Sequence, residues 1–239
     1  GGRCTGRSCR SPYPACVSRA PVIAIDGPSG SGKSTVARAV AARLGLGYLD
    51  TGAMYRALTW WVRSQDIDLA DADAVAVAAR ELPMTIGTDP SSPTFAVDGV
   101  DVSEAIRTTE ISESVSAVAT NLAVREEMVR RQRAMVADGG WVAEGRDITT
   151  VVAPDADVRV LLLAREDARL ARRAIDVHGV ADTTAVEATR DQIVRRDAQD
   201  STVAAFTEAA PGVSVIDSSD MTVDETVDAV LALLPEGGR

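Results

Sequence analysis

Five short apolar runs separated by helical patterns predict an α/β fold, a five-stranded parallel sheet flanked by helices in a right-handed, doubly wound arrangement. Three observations carry this. The runs around Val22–Ile25, Tyr48–Leu49, Trp141–Ala143, Val158–Leu163 and Val213–Ile216 are short and do not alternate with polar residues, as strands covered on both faces do not. Helical segments lie between them. A glycine-rich loop joins the first run to an Ala-rich helix over Val36–Leu44. The 239 residues suit one domain, or a core with insertions.

The first unit organises the rest. Val22 to Thr35 reads V-I-A-I-D-G-P-S-G-S-G-K-S-T, with Gly27, four residues, then Gly32, Lys33 and Ser34. That is the phosphate-loop pattern G-x-x-x-x-G-K-[ST] in the context its chemistry needs: strand, loop, helix N-terminus. Backbone N–H groups of such a loop point at phosphate oxygens, and the helix dipole adds positive potential. Gly30 and Gly32 let the backbone approach closely. Lys33 is expected to reach the outer phosphates and Ser34 to ligate Mg²⁺. Lys33 is also the single lysine of the chain, every other basic residue being arginine. Against that bias, a lone lysine here points to a compact ammonium being required.

The other elements follow in order. Residues 1–20 carry four arginines, two prolines and no acid, and are expected to be a disordered N-terminal extension outside the fold. All three cysteines, Cys4, Cys9 and Cys16, fall there, so a disulfide framework or zinc site in the globular part is excluded. After the short run at Tyr48–Leu49, D-T-G-A-M-Y-R opens a helix through Trp61 and Val62. Asp50 or Thr51 serves as its N-cap, as a ligand contact, or as both. A short helix is expected over Asp71–Arg80. Met84–Ile86, Thr94–Val97 and the turn Asp98-Gly99 then predict a small antiparallel insert. One long helix is expected over Thr109–Val136, carrying Arg125, Arg130, Arg131 and Arg133. Trp141–Asp147 is a strand with its C-terminal loop. Val158–Leu163 is the most apolar run and is expected at the sheet centre. Helices over Glu166–Val177 and Thr184–Asp197, joined through His178-Gly179 and rich in arginine, make a flap. Thr222 and Glu225 form a capping box for a last helix to Leu234.

Charge and hydropathy narrow the function. The formal net charge is -10 and the pI about 4.7, which argues against nucleic-acid binding. No apolar run approaches the roughly 18 residues of a membrane helix. The balance fits a monomer in the cytoplasm. A GTPase needs a lysine in its guanine-reading N-K-x-D stretch, and Lys33 is already committed. A motor ATPase needs an acidic pair after an apolar strand, and Leu161–Ala164 ends without acids. A small-molecule kinase needs a second anion site, and arginine forks at strand and helix ends, such as Arg56, Arg125 and Arg146, suit a phosphate dianion. Phosphoryl transfer asks mainly for positioning and charge neutralisation, which an arginine-bearing flap supplies while excluding water.

Four stretches in order, I-D-G-P-S-G-S-G-K-S-T, D-T-G-A-M-Y-R, E-G-R-D-I-T-T-V-V and R-R-D-A-Q-D-S-T, resemble those of bacterial cytidylate kinases across residues 21–235. The resemblance implies a nucleoside monophosphate (NMP) kinase core over 21–62, 138–166 and 201–235, an NMP-binding region with its antiparallel insert over about 63–137, and a helical lid over about 167–200. It implies transfer of the ATP γ-phosphate, with Mg²⁺, to CMP or dCMP. It puts the ATP phosphates on Gly27, Pro28, Ser29, Gly30, Ser31, Gly32, Lys33, Ser34 and Thr35. It puts the CMP phosphate near Thr51, Arg56 and Arg146, the base near Ser116, Arg125 and Asp147, and the ribose and transferring phosphate near Arg196 and Asp200. Lys33, Arg173 and Arg196 are the expected catalytic cations. Asp147 can accept from cytosine N4 while Arg125 donates to N3 or O2; uracil mispairs with both. Where better-known members carry an arginine shortly after R-D-x-x-D, this chain has Val203. A kinase acting on UMP or AMP, and a nucleotide-binding module without turnover, are the rival readings.

Overall fold

A computed structural model describes residues 19–179, 182–204 and 206–235; the side chains of 176–178, 183, 185, 188, 189, 191, 192, 195 and 196 lie outside the description. Most of the 1–20 segment, with its cysteines, also lies outside it. Arg19 and Ala20 are described, and they are tied to the fold. Arg19 Nη1 donates to the Ala137 carbonyl at 2.9 Å, and Gly140 N–H donates to the Ala20 carbonyl.

The main sheet is five-stranded in the order β2-β6-β1-β7-β8, built from β1 (Val22–Asp26), β2 (Gly47–Asp50), β6 (Trp141–Gly145), β7 (Val158–Leu163) and β8 (Ser214–Asp217). Every pairing is parallel. The middle strand is therefore β1, and the more apolar β7 is an interior strand paired on both edges, as a central strand is. Strand periodicity sends alternate residues of β1 to opposite faces. Val22 and Ala24 pack with α2 (Thr51–Ser64), α3 (Ala72–Glu81), α4 (Thr109–Ala119) and α5 (Leu122–Val136). Ile23 and Ile25 pack with α1 (Lys33–Leu44) and α8 (Val223–Leu231). Covering both faces is what makes the sheet doubly wound, and it explains why its strands carry no polar alternation.

Beside this sheet lies a three-stranded antiparallel one, β3 (Met84–Gly87), β4 (Thr94–Val97) and β5 (Val100–Asp101). Asp98 and Gly99 both take positive φ in its second turn, the geometry a tight hairpin favours. Phe95 and Val97 join the core under α2 and α5. Arg38 of α1 holds the first turn through the carbonyls of Pro90 and Ser91, at 2.7 and 3.1 Å.

Two expectations are corrected. The single helix over 109–136 is two, broken at Thr120-Asn121, because the Asn121 side chain accepts from Ala123 N–H and Val124 N–H and so starts a new helix. The last helix ends at Leu231 rather than Leu234. The remaining helices, α6 (Glu166–His178) and α7 (Thr183–Asp200), form a hairpin whose first arm ends at Gly179 in the left-handed conformation.

Candidate active site

The site lies along the C-terminal ends of β1, β2 and β6, where open parallel sheets bind ligands. β1 delivers Asp26 and the loop Gly27–Gly32, and α1 begins at Lys33. A Cβ at Gly27 would stand 2.3 Å from the Leu162 carbonyl oxygen, and one at Gly30 would stand 2.5 Å from that of Arg169. Gly30 and Gly32 both have positive φ. The glycines are thus required by packing and by conformation. Lys33 Nζ donates back to the Pro28 carbonyl at 3.3 Å. Ser34 Oγ donates to Glu144 Oε1 at 2.5 Å.

Glu144 is a residue the sequence reading passed over. It is buried and lies on β6, beside β1. Tyr48 also donates to it. Burial, and then the nearby Asp50 carboxylate, push its carboxyl above the ordinary range, while Lys33 and the Ser34 hydroxyl pull it down. The acid sought after Leu161–Ala164 thus sits on the other strand flanking β1.

Opposite the loop, β6 runs into Arg146 and Asp147. A single wide helical turn over Ile148–Val152 follows. Asp26 fixes its start, accepting from Ile148 N–H and Thr149 N–H at 2.8 Å each and from Thr149 Oγ1 at 2.6 Å. Burial pushes the Asp26 carboxyl up to about 6, against those three donors. One carboxylate therefore locks the two motifs together. Asp147 forms a buried ion pair with Arg125, not with the adjacent Arg146. Burial raises the Asp147 carboxyl, and Arg125 opposes the rise. Arg125 reaches it because the Asn121 break starts a new helix just before it; its Nη1 also donates to the Ala119 carbonyl at 3.3 Å.

α2 supplies the third wall. Asp50 caps it through Ala53 N–H at 2.7 Å and pairs with Arg56 at 3.0 Å, so capping and site-building coincide. Thr51 Oγ1 donates to the Glu144 carbonyl at 2.8 Å. Two buried donors here, the Tyr55 hydroxyl and Arg56 Nε, have no hydrogen-bond acceptor among the described residues.

The helical hairpin closes the fourth side. Arg169 Nη1 donates to the Ser29 carbonyl at 3.0 Å. Arg172 is committed to Ser218 and the Ser31 carbonyl. Asp197 accepts from Ser29 N–H at 3.2 Å and pairs with Arg146 at 2.8 Å and Arg169 at 2.6 Å. Burial works against its charge, but these cations and the loop amide outweigh burial and lower its pKa. Asp200 pairs with Arg146 Nε at 2.9 Å and accepts from Ser116 Oγ at 3.3 Å.

One cavity of about 920 Å³ gathers most of the expected residues: Ser29, Gly30, Gly32, Lys33, Ser34, Thr35, Thr51, Arg56, Arg125, Arg146, Asp147, Arg173 and Asp200, together with Val203. Gly27, Pro28 and Ser31 shape the loop behind it. Ser116 reaches it through Asp200. Arg196 lies on α7 with its side chain outside the description. The expected set omitted Glu144, Asp26 and Asp197. Each is an acid inside one of the quoted stretches, and each binds a residue of another: Asp26 binds Thr149, Glu144 binds Ser34, and Asp197 binds Arg146 and the Ser29 amide.

Comparison with known proteins finds relatives across nearly the whole chain. The cytidylate kinase family model matches residues 23–236. A cytidylate kinase of Streptomyces avermitilis is 47% identical over 219 residues, covering 90% of this chain and 93% of that protein. One of Cutibacterium acnes is 48% identical, covering 90% and 96%. A bifunctional pantoate ligase/cytidylate kinase of Parasynechococcus marenigrum is 46% identical over 93% of this chain and 44% of its own length. With a match running from the first strand to the last helix, the chain belongs to the cytidylate kinase family.

Proposed function

We propose that this chain is a cytidylate kinase that moves the γ-phosphate of ATP to CMP or dCMP, giving ADP and CDP or dCDP. The observation that carries the reading is a phosphate loop and a separate arginine-lined wall meeting in one cavity.

ATP phosphates would sit on the Gly27–Thr35 backbone, with Lys33 released from the Pro28 carbonyl to the outer phosphates. The Ser34 hydroxyl and Glu144 carboxylate, in contact, offer the hard oxygen donors Mg²⁺ takes, in the P-loop serine and strand-end acid pattern. Bound there, the ion supplies charge neutralisation on the phosphate oxygens. The acceptor phosphate would meet Arg56, whose Nε awaits an acceptor, and Arg146. The Arg125–Asp147 pair presents donors beside an acceptor on one edge, complementary to cytosine N3 beside N4–H₂ and mismatched to uracil. Arg173 and Arg196 would add positive charge around the transferring group. The region over about 63–137 would carry the NMP site and about 167–200 the lid, on a core of 21–62, 138–166 and 201–235. The protein would act as a cytoplasmic monomer on these small molecules, without nucleic-acid or membrane partners.

A coupled ADP-release assay with Mg²⁺-ATP and CMP, dCMP, UMP, AMP or GMP tests this. Turnover with CMP or dCMP alone is expected. Equal rates with UMP would remove the cytosine assignment of Arg125 and Asp147, and no turnover with any acceptor would overturn the kinase reading.

A further inference from the structure

Arg146 is held by more than its two carboxylates. Its guanidinium carbon lies over the Phe206 ring, 4.4 Å from the centroid. Phe206 is 1% exposed. The guanidinium is thus held in three ways: Nε on Asp200, Nη1 on Asp197, and its carbon over the ring. All three partners come from residues 197–206, the end of α7 and the turn after it. That turn is set by Val203 and Ala204 N–H donating to the Asp200 carbonyl. Val203 and Ala204 line the cavity beside Arg146 and bring no charge to it.

The three restraints differ in what an arriving phosphate does to them. Phosphate oxygens bind a guanidinium in its plane, through the N–H fork. They compete directly with Asp197 and Asp200. The ring contact is made by the guanidinium carbon, while Nε and Nη1 are the atoms engaged by Asp200 and Asp197, so it need not be lost when the carboxylates are exchanged. It is desolvated, the condition in which a cation over an aromatic face is held most strongly.

We propose that Phe206 is a positioning residue for the acceptor phosphate, keeping the Arg146 fork in its binding orientation through the quadrupole of its ring. The inference rests on Arg146 being an acceptor-phosphate ligand. The effect of Arg146→Met on KM for CMP reports on that assignment, whereas the comparison below reports on the ring.

The test replaces Phe206 by methionine, which keeps apolar volume without a ring, and separately by pentafluorophenylalanine, which keeps the shape and inverts the quadrupole. For both, KM for CMP should rise roughly 3- to 30-fold, the range set by a partly to fully desolvated cation–ring contact. KM for ATP and kcat should stay within about two-fold, since the proposed action of the ring is on Arg146, assigned to the acceptor side. A fluorinated ring that leaves KM for CMP unchanged overturns the proposal, even if Phe206→Met fails to fold. So does a parallel rise of the CMP and ATP constants.

Discussion

On the proposed reading, the two halves of the cavity would recognise phosphate by different means. The loop half is backbone: glycines at positive φ, amide hydrogens and a helix N-terminus, all drawn from Gly27–Thr35 in one unbroken stretch. The acceptor half is side chain, assembled from α2, α5, the end of β6 and α7, and nearly every arginine in it is matched to a carboxylate: Arg56 to Asp50, Arg125 to Asp147, Arg146 to Asp197 and Asp200. Backbone amides carry no net charge and need no counterion. Buried guanidinium groups do, because an unpaired buried charge is costly. A site built from arginines must therefore also be built from acids.

The contrast can be broken at its strongest point first. Lys33→Ala removes the one full charge of the loop half. We expect kcat to fall by about 10³-fold from lost transition-state stabilisation, with CMP binding by calorimetry little changed. A near-normal kcat would mean that backbone and flap suffice. In the acceptor half, Asp147→Ala should lower the CMP to UMP ratio of kcat/KM by roughly 10²-fold, because it removes the acceptor for N4. An unchanged ratio would move base reading elsewhere.

The smallest expected effect sharpens the seam between the halves. Asp26 titrates at about 6 in the fold against 3.8 ordinarily. Between those values the folded state holds a proton that the unfolded chain has released. The associated stability is complete below pH ~3.8 and is lost as pH rises through ~6, by at most ~3 kcal/mol. Carboxyl-carbon NMR of Asp26 should show the midpoint near 6. Urea unfolding of the wild type should lose stability relative to Asp26→Asn between pH 4.5 and 7. A midpoint near 4 would show that the Ile148 and Thr149 donors outweigh burial.

The same contrast explains what could be read in advance. The loop half was legible because its residues are contiguous and each is required by local geometry. Arg56, Arg146 and Asp147 were legible as charged residues at element ends within recognisable motifs, and Arg125 through the family resemblance. Their pairing was not. Asp147 has an arginine next to it in sequence, yet pairs with Arg125, because the break at Asn121 redirects α5. Asn121 was itself a visible helix-start signal, overridden by apolar periodicity running through it. Glu144 was hidden because an acid was sought on β7, and only strand order shows that β6 also flanks β1. Asp197 sits among arginines in a polar helix, where nothing local distinguishes a solvated acid from one turned onto Ser29 and Arg146.

Asp197 has a consequence for how this site responds to salt. The amide of Ser29 and the guanidinium groups of Arg146 and Arg169 share a carboxylate that the protein carries with it. On the proposed reading, nucleotide binding at these groups would be an exchange of one anion for another. Dissolved counterions are displaced only for the charge the protein has not already balanced, so ionic strength weakens binding less than the number of arginines suggests. Loss of the product would be assisted by the same group, if Asp197 takes back each contact as the phosphate leaves.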